Sequence, residues 1–112
     1  RFTMKEAALV ERYADENGLD EALVYAVMKT ESDFDAEAVS AAKAKGLMQL
    51  TLPTFQWLQS KTGETLEGDA LFDKEVNVRY GTLFLRLLKE EFGTTQEILA
   101  AYHAGRGRLT AG

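Results

Sequence analysis

Apolar residues recur at helical spacing along most of this chain, and helix-capping residues separate the runs. Thr3 and Glu6 match a capping box ahead of the first run, and Asp20 can cap the second. Apolar side chains that return every three to four residues indicate the buried face of a helix. The pattern therefore predicts one helix from Thr3 to about Asn17 and a second that carries the apolar run at 23–28.

The second half of the chain predicts three more helices, with expected spans of 51–63, 73–92 and 94–105. Pro53 suits the first turn of the first of these helices, and Thr94 with Glu97 forms another capping-box match. The longest of the three has an apolar stripe. The stripe consists of Val76, Tyr80, Leu83, Phe84, Leu87 and Leu88.

Two stretches have weaker patterns. Residues 34–45 are rich in Ala and Ser and are expected to form a short helix followed by a loop. Residues 63–72 include a loop bounded by Gly63 and Gly68, and at most a short hairpin is expected there. No alternation typical of a longer strand occurs. The pattern predicts a mainly α fold, with about six helices in one compact domain over residues 1–112 and at most a short β-hairpin.

One carboxylate lies on the apolar side of the second predicted helix. At about 100° per residue, four residues share one arc, and Glu31 falls inside it; the four are Leu23, Val27, Thr30 and Phe34. Burying a carboxylate is costly unless it is paired or its pKa rises, and a raised pKa suits a general acid. Glu31 could equally lie at the frayed end of the helix, with its side chain in solvent. Its position alone therefore does not distinguish a functional acid from an exposed helix end.

Composition excludes several classes of function. The chain has 112 residues, no cysteine, one histidine and a net charge of −5. A basic surface for phosphate backbones is missing, so we expect no nucleic-acid partner. No apolar run approaches the roughly 20 residues that span a bilayer. We expect no metal site. The chain opens without an initiator Met or a signal pattern, which suggests a processed or excised domain.

Four local patterns occur in order along the chain: Glu31-Ser32-Asp33-Phe34, Gly46-Leu47-Met48-Gln49-Leu50, Asn77-Val78-Arg79-Tyr80-Gly81-Thr82 and Ala101-Tyr102-His103-Ala104-Gly105. Each is weakly specific alone, and the four together are strongly specific. The chain resembles the lytic transglycosylases of the lysozyme superfamily, in particular the soluble Slt-type group, which are relatives of goose-type lysozymes. The resemblance covers nearly the whole length.

The resemblance implies a mainly α, lysozyme-like α+β fold around a saccharide cleft. It implies cleavage of the β-1,4 bond between N-acetylmuramic acid and N-acetylglucosamine in peptidoglycan, with Glu31 as the single acid and base. The substrate's 2-acetamido group assists, and the product has a 1,6-anhydro end. Peptidoglycan strands are the expected partner, the cell envelope (periplasmic or secreted) the expected location, and a monomer without cofactors the expected state.

Five further residues are candidate substrate-binding or orienting residues. By resemblance, Gln49 lines the groove near the scissile bond, Met48 forms its floor, and the Tyr102 hydroxyl helps to orient Glu31. Ser32 is interpreted mainly as a structural residue that bonds the helix end, and His103 lies at the groove. Core roles are the general alternative for Met48 and Tyr102. Asn77 and Gly81 are expected to serve helix packing.

Departures from the family pattern keep alternatives open. The family usually has Asn at His103 and Pro at Ala36 and Arg106, and it usually continues beyond Gly112. A hydrolase on the same fold would need a second carboxylate, roughly 6.5–9.5 Å from the acid in the inverting case. Asp33, Asp35 and Glu37 are instead expected in a solvated loop. A glycan-binding or scaffold module without catalysis is the remaining alternative.

Overall fold

Five α-helices surround one core. The computed structural model describes residues 3–105 of the 112-residue chain, so Arg106 lies outside the described residues. The helices are α1 (Met4–Glu16), α2 (Glu21–Ser32), α3 (Leu52–Thr62), α4 (Lys74–Glu91) and α5 (Thr95–Ala104). A 3-10 helix, Gly68–Phe72, precedes α4. The mainly α prediction is confirmed, and all five long helices lie within a few residues of their predicted spans.

Capping residues begin the helices where the sequence predicts. Both capping boxes form, with Thr3 and Glu6 at α1 and with Thr94 and Glu97 at α5. Glu6 does more than cap, because its side chain is only 2% exposed and lies 2.9 Å from Lys74 Nζ. This ion pair joins the start of α1 to the start of α4. The sequence pattern indicated the cap and gave no sign of the long-range pair.

One local prediction is wrong, and one is decided by the structure. Residues 34–45 form turns instead of a short helix, and two isolated antiparallel bridges join Val39 to Lys45 and Lys45 to Leu50. Positive φ angles at four non-glycine residues interrupt helical geometry in this region; they are Asp33, Phe34, Lys43 and Gln49. Near residues 63–72, where at most a short hairpin is predicted, the described residues form no hairpin, and the 3-10 helix Gly68–Phe72 lies there instead.

Helix α4 lies at the centre of the core and contacts α1, α3, α5 and the 3-10 helix. Of its predicted stripe, Tyr80, Phe84 and Leu88 are at most 1% exposed. The remaining stripe residues are partly buried and pack against the core; they are Val76, Leu83 and Leu87. The buried face is also broader than predicted, because helices pack on several sides of α4. Val78 and Leu85 are fully buried there.

The segment at 46–50, here called the GLMQL loop, is held against α4 by Asn77 and Gly81. Asn77 is fully buried. Its Oδ1 accepts a hydrogen bond from the Met48 N–H at 2.7 Å, and its Nδ2 donates to the carbonyls of Lys45 and Leu71 at 2.9 and 2.8 Å. The packing role predicted for Asn77 is therefore confirmed.

Gly81 allows Met48 to pack directly on the α4 backbone. A Cβ added at Gly81 would lie 2.3 Å from Met48 Sδ and 2.9 Å from Met48 Cβ. We expect Gly81→Ala to destabilise the fold by about 1–2 kcal/mol, since the overlap outweighs the helix propensity that Ala gains over Gly, about 1 kcal/mol. Urea unfolding measures the difference.

Gly93→Ala is the matched control for this substitution. A Cβ at Gly93 has Glu97 Oε1 as its nearest neighbour, 4.0 Å away. The control should change the free energy of unfolding by less than about 0.5 kcal/mol. Equal stability of the Gly81→Ala variant and the wild type would contradict the close packing of Met48 on α4.

Candidate functional site

An open cleft of about 740 Å³ lies between the C-terminal ends of α2 and α5, the start of α3 and the loop that precedes it. This volume is typical of small-molecule sites. Its walls are mostly small or hydroxyl-bearing side chains. The lining residues are Thr30, Glu31, Ser40, Ala41, Ala42, Ala44, Gln49, Leu50, Thr51, Pro53, Thr54, Phe84, Tyr102, His103, Ala104 and Gly105. Of the six candidate site residues, Glu31, Gln49, Tyr102 and His103 line the cleft, whereas Met48 and Ser32 do not.

Glu31 lies in the last turn of α2, with its side chain only 14% exposed. Helix α2 ends at the next residue, Ser32, because Asp33 adopts a left-handed conformation with φ 52°. Glu31 Oε2 is 2.9 Å from Nδ1 of His103 on α5. Among residues 3–105, Glu31 is the one acidic residue that lines the cleft. The cleft therefore presents a single, largely enclosed carboxylate.

The nearby acidic residues face solvent. Asp33, Asp35 and Glu37 are exposed. Asp33 pairs with Lys29 at 2.8 Å, and Asp35 Oδ1 accepts the Glu37 N–H at 2.9 Å. The prediction that these three residues lie in a solvated loop is confirmed, and Asp33 is also the residue that caps the C-terminus of α2.

Tyr102 is buried beneath the cleft, where its ring packs 5.0 Å from the ring of Phe84. Its hydroxyl donates a hydrogen bond to the Met48 carbonyl at 2.6 Å, so the hydroxyl predicted to approach Glu31 has a different hydrogen-bond partner. Burial, and to a lesser degree the nearby charge of Glu31, raises the pKa of Tyr102 well above its ordinary value. Tyr102 therefore remains a neutral donor that joins α5 to the GLMQL loop.

Gln49 lines the cleft in a left-handed backbone conformation, with φ 53°. Its Nε2 donates to the carbonyls of Ala38 and Gly46, both at 3.0 Å. Because both partners are acceptors, the amide orientation is fixed. The Oε1 atom then has no hydrogen-bond partner within residues 3–105 and is the atom of Gln49 that can accept one from a ligand. The substrate-contact role of Gln49 remains a prediction with this geometry in its favour.

Met48 and Ser32 support the site from behind. The Met48 side chain is fully buried and packs on Gly81. It does not line the cleft and so does not form the groove floor, contrary to what the resemblance implies. Ser32 Oγ donates to the Leu47 carbonyl at 2.7 Å, in agreement with the structural interpretation. Both residues hold the GLMQL loop in place.

Residues 40–44 form one wall of the cleft, and the sequence did not identify them as site residues. The small side chains of this stretch predict a short helix when only the sequence is considered. Their turn geometry instead places Ser40, Ala41, Ala42 and Ala44 along one side of the cleft. Small side chains that follow the Glu31 motif closely in the chain are the available signal for a cleft wall.

Residues 3–105 offer neither a cluster of metal ligands nor a membrane-spanning helix. No group of three His, Asp or Glu side chains is arranged to hold a metal ion in this part of the chain. None of the helices described above is both long and apolar enough to cross a membrane.

The chain is similar to bacterial cell-wall enzymes in sequence. Membrane-bound lytic murein transglycosylase C of Edwardsiella ictaluri is 34% identical over 90% of this chain and 31% of its own length. The protein of the same name from Serratia proteamaculans is 34% identical, over 94% of this chain and 32% of its own length. The chain thus spans about a third of these curated relatives.

Solved structures agree with the sequence comparison. The lytic transglycosylase Slt of Pseudomonas aeruginosa, solved as an inactive mutant, superposes with a TM-score of 0.84 at 33% identity, over 97% of this chain and 18% of that one. The 70-kDa soluble lytic transglycosylase of Escherichia coli gives a TM-score of 0.84 at 27% identity, over 94% of this chain and 18% of that one. These similarities confirm the predicted lysozyme-like fold.

The family model described as "Transglycosylase SLT domain" matches residues 8–111. That match includes α2, the GLMQL loop, α4 and α5, which together position Glu31 and the cleft. The chain therefore belongs to the transglycosylase SLT domain family.

Proposed function

We propose that this domain is a peptidoglycan lytic transglycosylase that cleaves the β-1,4 bond between N-acetylmuramic acid and N-acetylglucosamine, with Glu31 as its acid and base. Family membership and the murein transglycosylase relatives support the activity and the substrate. The Pseudomonas aeruginosa relative was solved as an inactive mutant with a glutamate replaced by glutamine, which supports a mechanism that depends on a glutamate.

The observation that carries the proposal is the position of Glu31. Its side chain is 14% exposed in a cleft where no other acidic residue of the described chain contributes to the lining. Most glycosidases use two carboxylates, and substrate-assisted enzymes are an exception. A single enclosed carboxylate therefore favours the substrate-assisted reaction.

The chemistry proceeds in two steps. Glu31 first donates its proton to the glycosidic oxygen while the bond from that oxygen to C1 of muramic acid breaks. The carbonyl oxygen of the sugar's own 2-acetamido group then bonds to C1 and takes up the developing charge. In the second step the ionised Glu31 removes the proton of the 6-hydroxyl, and that oxygen displaces the acetamido oxygen at C1. A 1,6-anhydro end forms, and no water is consumed.

The other residues of the cleft have supporting roles. Gln49 Oε1 can accept a hydrogen bond from a sugar hydroxyl or amide, and its Nε2 already bonds the loop backbone. Tyr102 and Ser32 hold the loop that carries Gln49. Apolar and small side chains form the remaining wall and suit the faces of pyranose rings. The domain acts on glycan strands as a monomer in the cell envelope, periplasmic or secreted. Of the relatives named above, the two lytic murein transglycosylases C are membrane-bound, and the 70-kDa transglycosylase of Escherichia coli is soluble.

Analysis of the products from purified sacculi tests this function. We expect soluble muropeptides with 1,6-anhydro ends, which mass spectrometry distinguishes from hydrolysis products because the anhydro form is lighter by one water. Reducing ends would select a hydrolase, and glycan binding without products would select a binding module. Intact sacculi in the presence of folded protein would contradict the enzymatic proposal.

A further inference from the structure

The Glu31 carboxylate has one hydrogen-bond partner within residues 3–105. That partner is His103, whose Nδ1 lies 2.9 Å from Glu31 Oε2. The Tyr102 hydroxyl, which is predicted to orient Glu31, donates to the Met48 carbonyl instead, and the hydroxyl of the neighbouring Ser32 donates to the Leu47 carbonyl. The orientation of the carboxyl group therefore depends on His103.

The two side chains differ strongly in exposure. The His103 side chain is 77% exposed at the cleft mouth, whereas that of Glu31 is 14% exposed beneath it. His103 is in the last turn of α5 and 72 residues from Glu31 in the chain. The hydrogen bond thus joins the C-terminal ends of α2 and α5 between two residues that line the cleft.

We propose that His103 is a positioning residue for Glu31: its Nδ1–H holds Oε2, and Oε1 is left to carry the proton that is donated to the glycosidic oxygen. This inference rests on the proposed function of Glu31. The terminal torsion of a glutamate is broad, so a carboxyl group without a fixed partner samples many orientations. One hydrogen bond to Oε2 selects among them and distinguishes the two oxygens.

The expected consequence concerns turnover more than substrate binding. A misplaced proton donor lowers the rate of the chemical step and leaves ground-state contacts with the glycan unchanged. His103→Ala should therefore lower turnover at saturating substrate by about 10-fold with little change in KM. His103→Asn should restore much of the loss, because the amide nitrogen of Asn occupies nearly the same place as Nδ1 and keeps a donor there.

Kinetics on soluble glycan strands measure these effects, with thermal melting as the check on folding. Gln96→Ala is the matched control, since Gln96 is an exposed residue of the same helix and should leave turnover and KM unchanged. A raised KM with full turnover in His103→Ala would overturn the positioning role, because it would make His103 only a substrate contact. Failure of Asn to restore activity would also count against it.

A second measurement tests the hydrogen bond without any activity. The chain has one histidine, so the imidazole ¹⁵N signals belong to His103 alone. At a pH where the imidazole is neutral, the wild type should show the tautomer with the proton on Nδ1, and Glu31→Ala should lose that preference. The same tautomer in both proteins would overturn the inference. Sacculi left intact by the wild type would instead overturn the proposed function, and the NMR result separates the two failures.

Discussion

Replacing Glu31 by Gln is expected to lower the rate of glycan cleavage by about 10²- to 10⁴-fold, the usual contribution of a general acid or base. Gln has nearly the same shape, so the cleft and the contact with His103 can persist. The amide cannot protonate the glycosidic oxygen, and it cannot remove the 6-hydroxyl proton in the second step. Release of muropeptides from sacculi, followed over time, measures the loss.

Glu37→Gln is the control for this substitution. Glu37 is also acidic and lies six positions further along the chain, but it is exposed and outside the cleft lining. It should retain the wild-type rate. Both variants should melt within a few degrees of the wild type, because neither residue belongs to the buried core. A Glu31→Gln variant with more than a tenth of the wild-type rate would contradict the role of Glu31 as the acid.

Replacing Asn77 by Ala is expected to lower the free energy of unfolding by about 2–4 kcal/mol. The substitution leaves the Met48 N–H and the Leu71 carbonyl without the Asn77 side chain as partner, and each buried polar group without a partner costs about 1–3 kcal/mol. The Lys45 carbonyl is less affected, because it also accepts the Leu50 N–H at 3.2 Å. Urea unfolding with an unchanged slope gives the value.

The same substitution should also reduce activity, because Asn77 fixes the GLMQL loop. That loop supplies Gln49 to the cleft and the Met48 carbonyl to Tyr102. Gln56→Ala removes an exposed amide from α3 and should change stability by less than about 0.5 kcal/mol. A loss below about 1 kcal/mol in Asn77→Ala would show that the loop keeps its polar groups satisfied by another route, for example by ordered water.

The prediction of helices succeeded where the signal is local. A cap such as Thr94 and Glu97 joins residues three positions apart, and glycines such as Gly63 and Gly105 stop a helix through their own backbone conformations. Such interactions depend on neighbours in the chain, so the sequence displays them directly. The long stripe on α4 is equally local, and the buried Tyr80, Phe84 and Leu88 lie on it as predicted.

The prediction failed where backbone conformation depends on distant contacts. The Ala-rich residues 34–45 have good helix propensity, yet they form turns because residue 49 bonds back to the carbonyl of Ala38 and the GLMQL loop is anchored on Asn77. The bond to the Ala38 carbonyl accompanies the left-handed backbone conformation of Gln49, which has φ 53°. Propensity is a weak preference that such tertiary bonds override.

The sequence by itself determined the positions of the helices, the family resemblance and the identity of Glu31 as the candidate acid. Helix caps, hydrophobic periodicity and motifs all depend on residues that are close together in the chain, so they can be recognised without the structure. Only the tertiary structure decided which side chain bonds to that acid. Tyr102 and His103 are adjacent on α5, and their side chains take different directions: one reaches the Met48 carbonyl beneath the cleft and the other reaches Glu31 at its mouth. That choice depends on how α5 packs against α2 and α4, and a contact across 72 residues has no local signature.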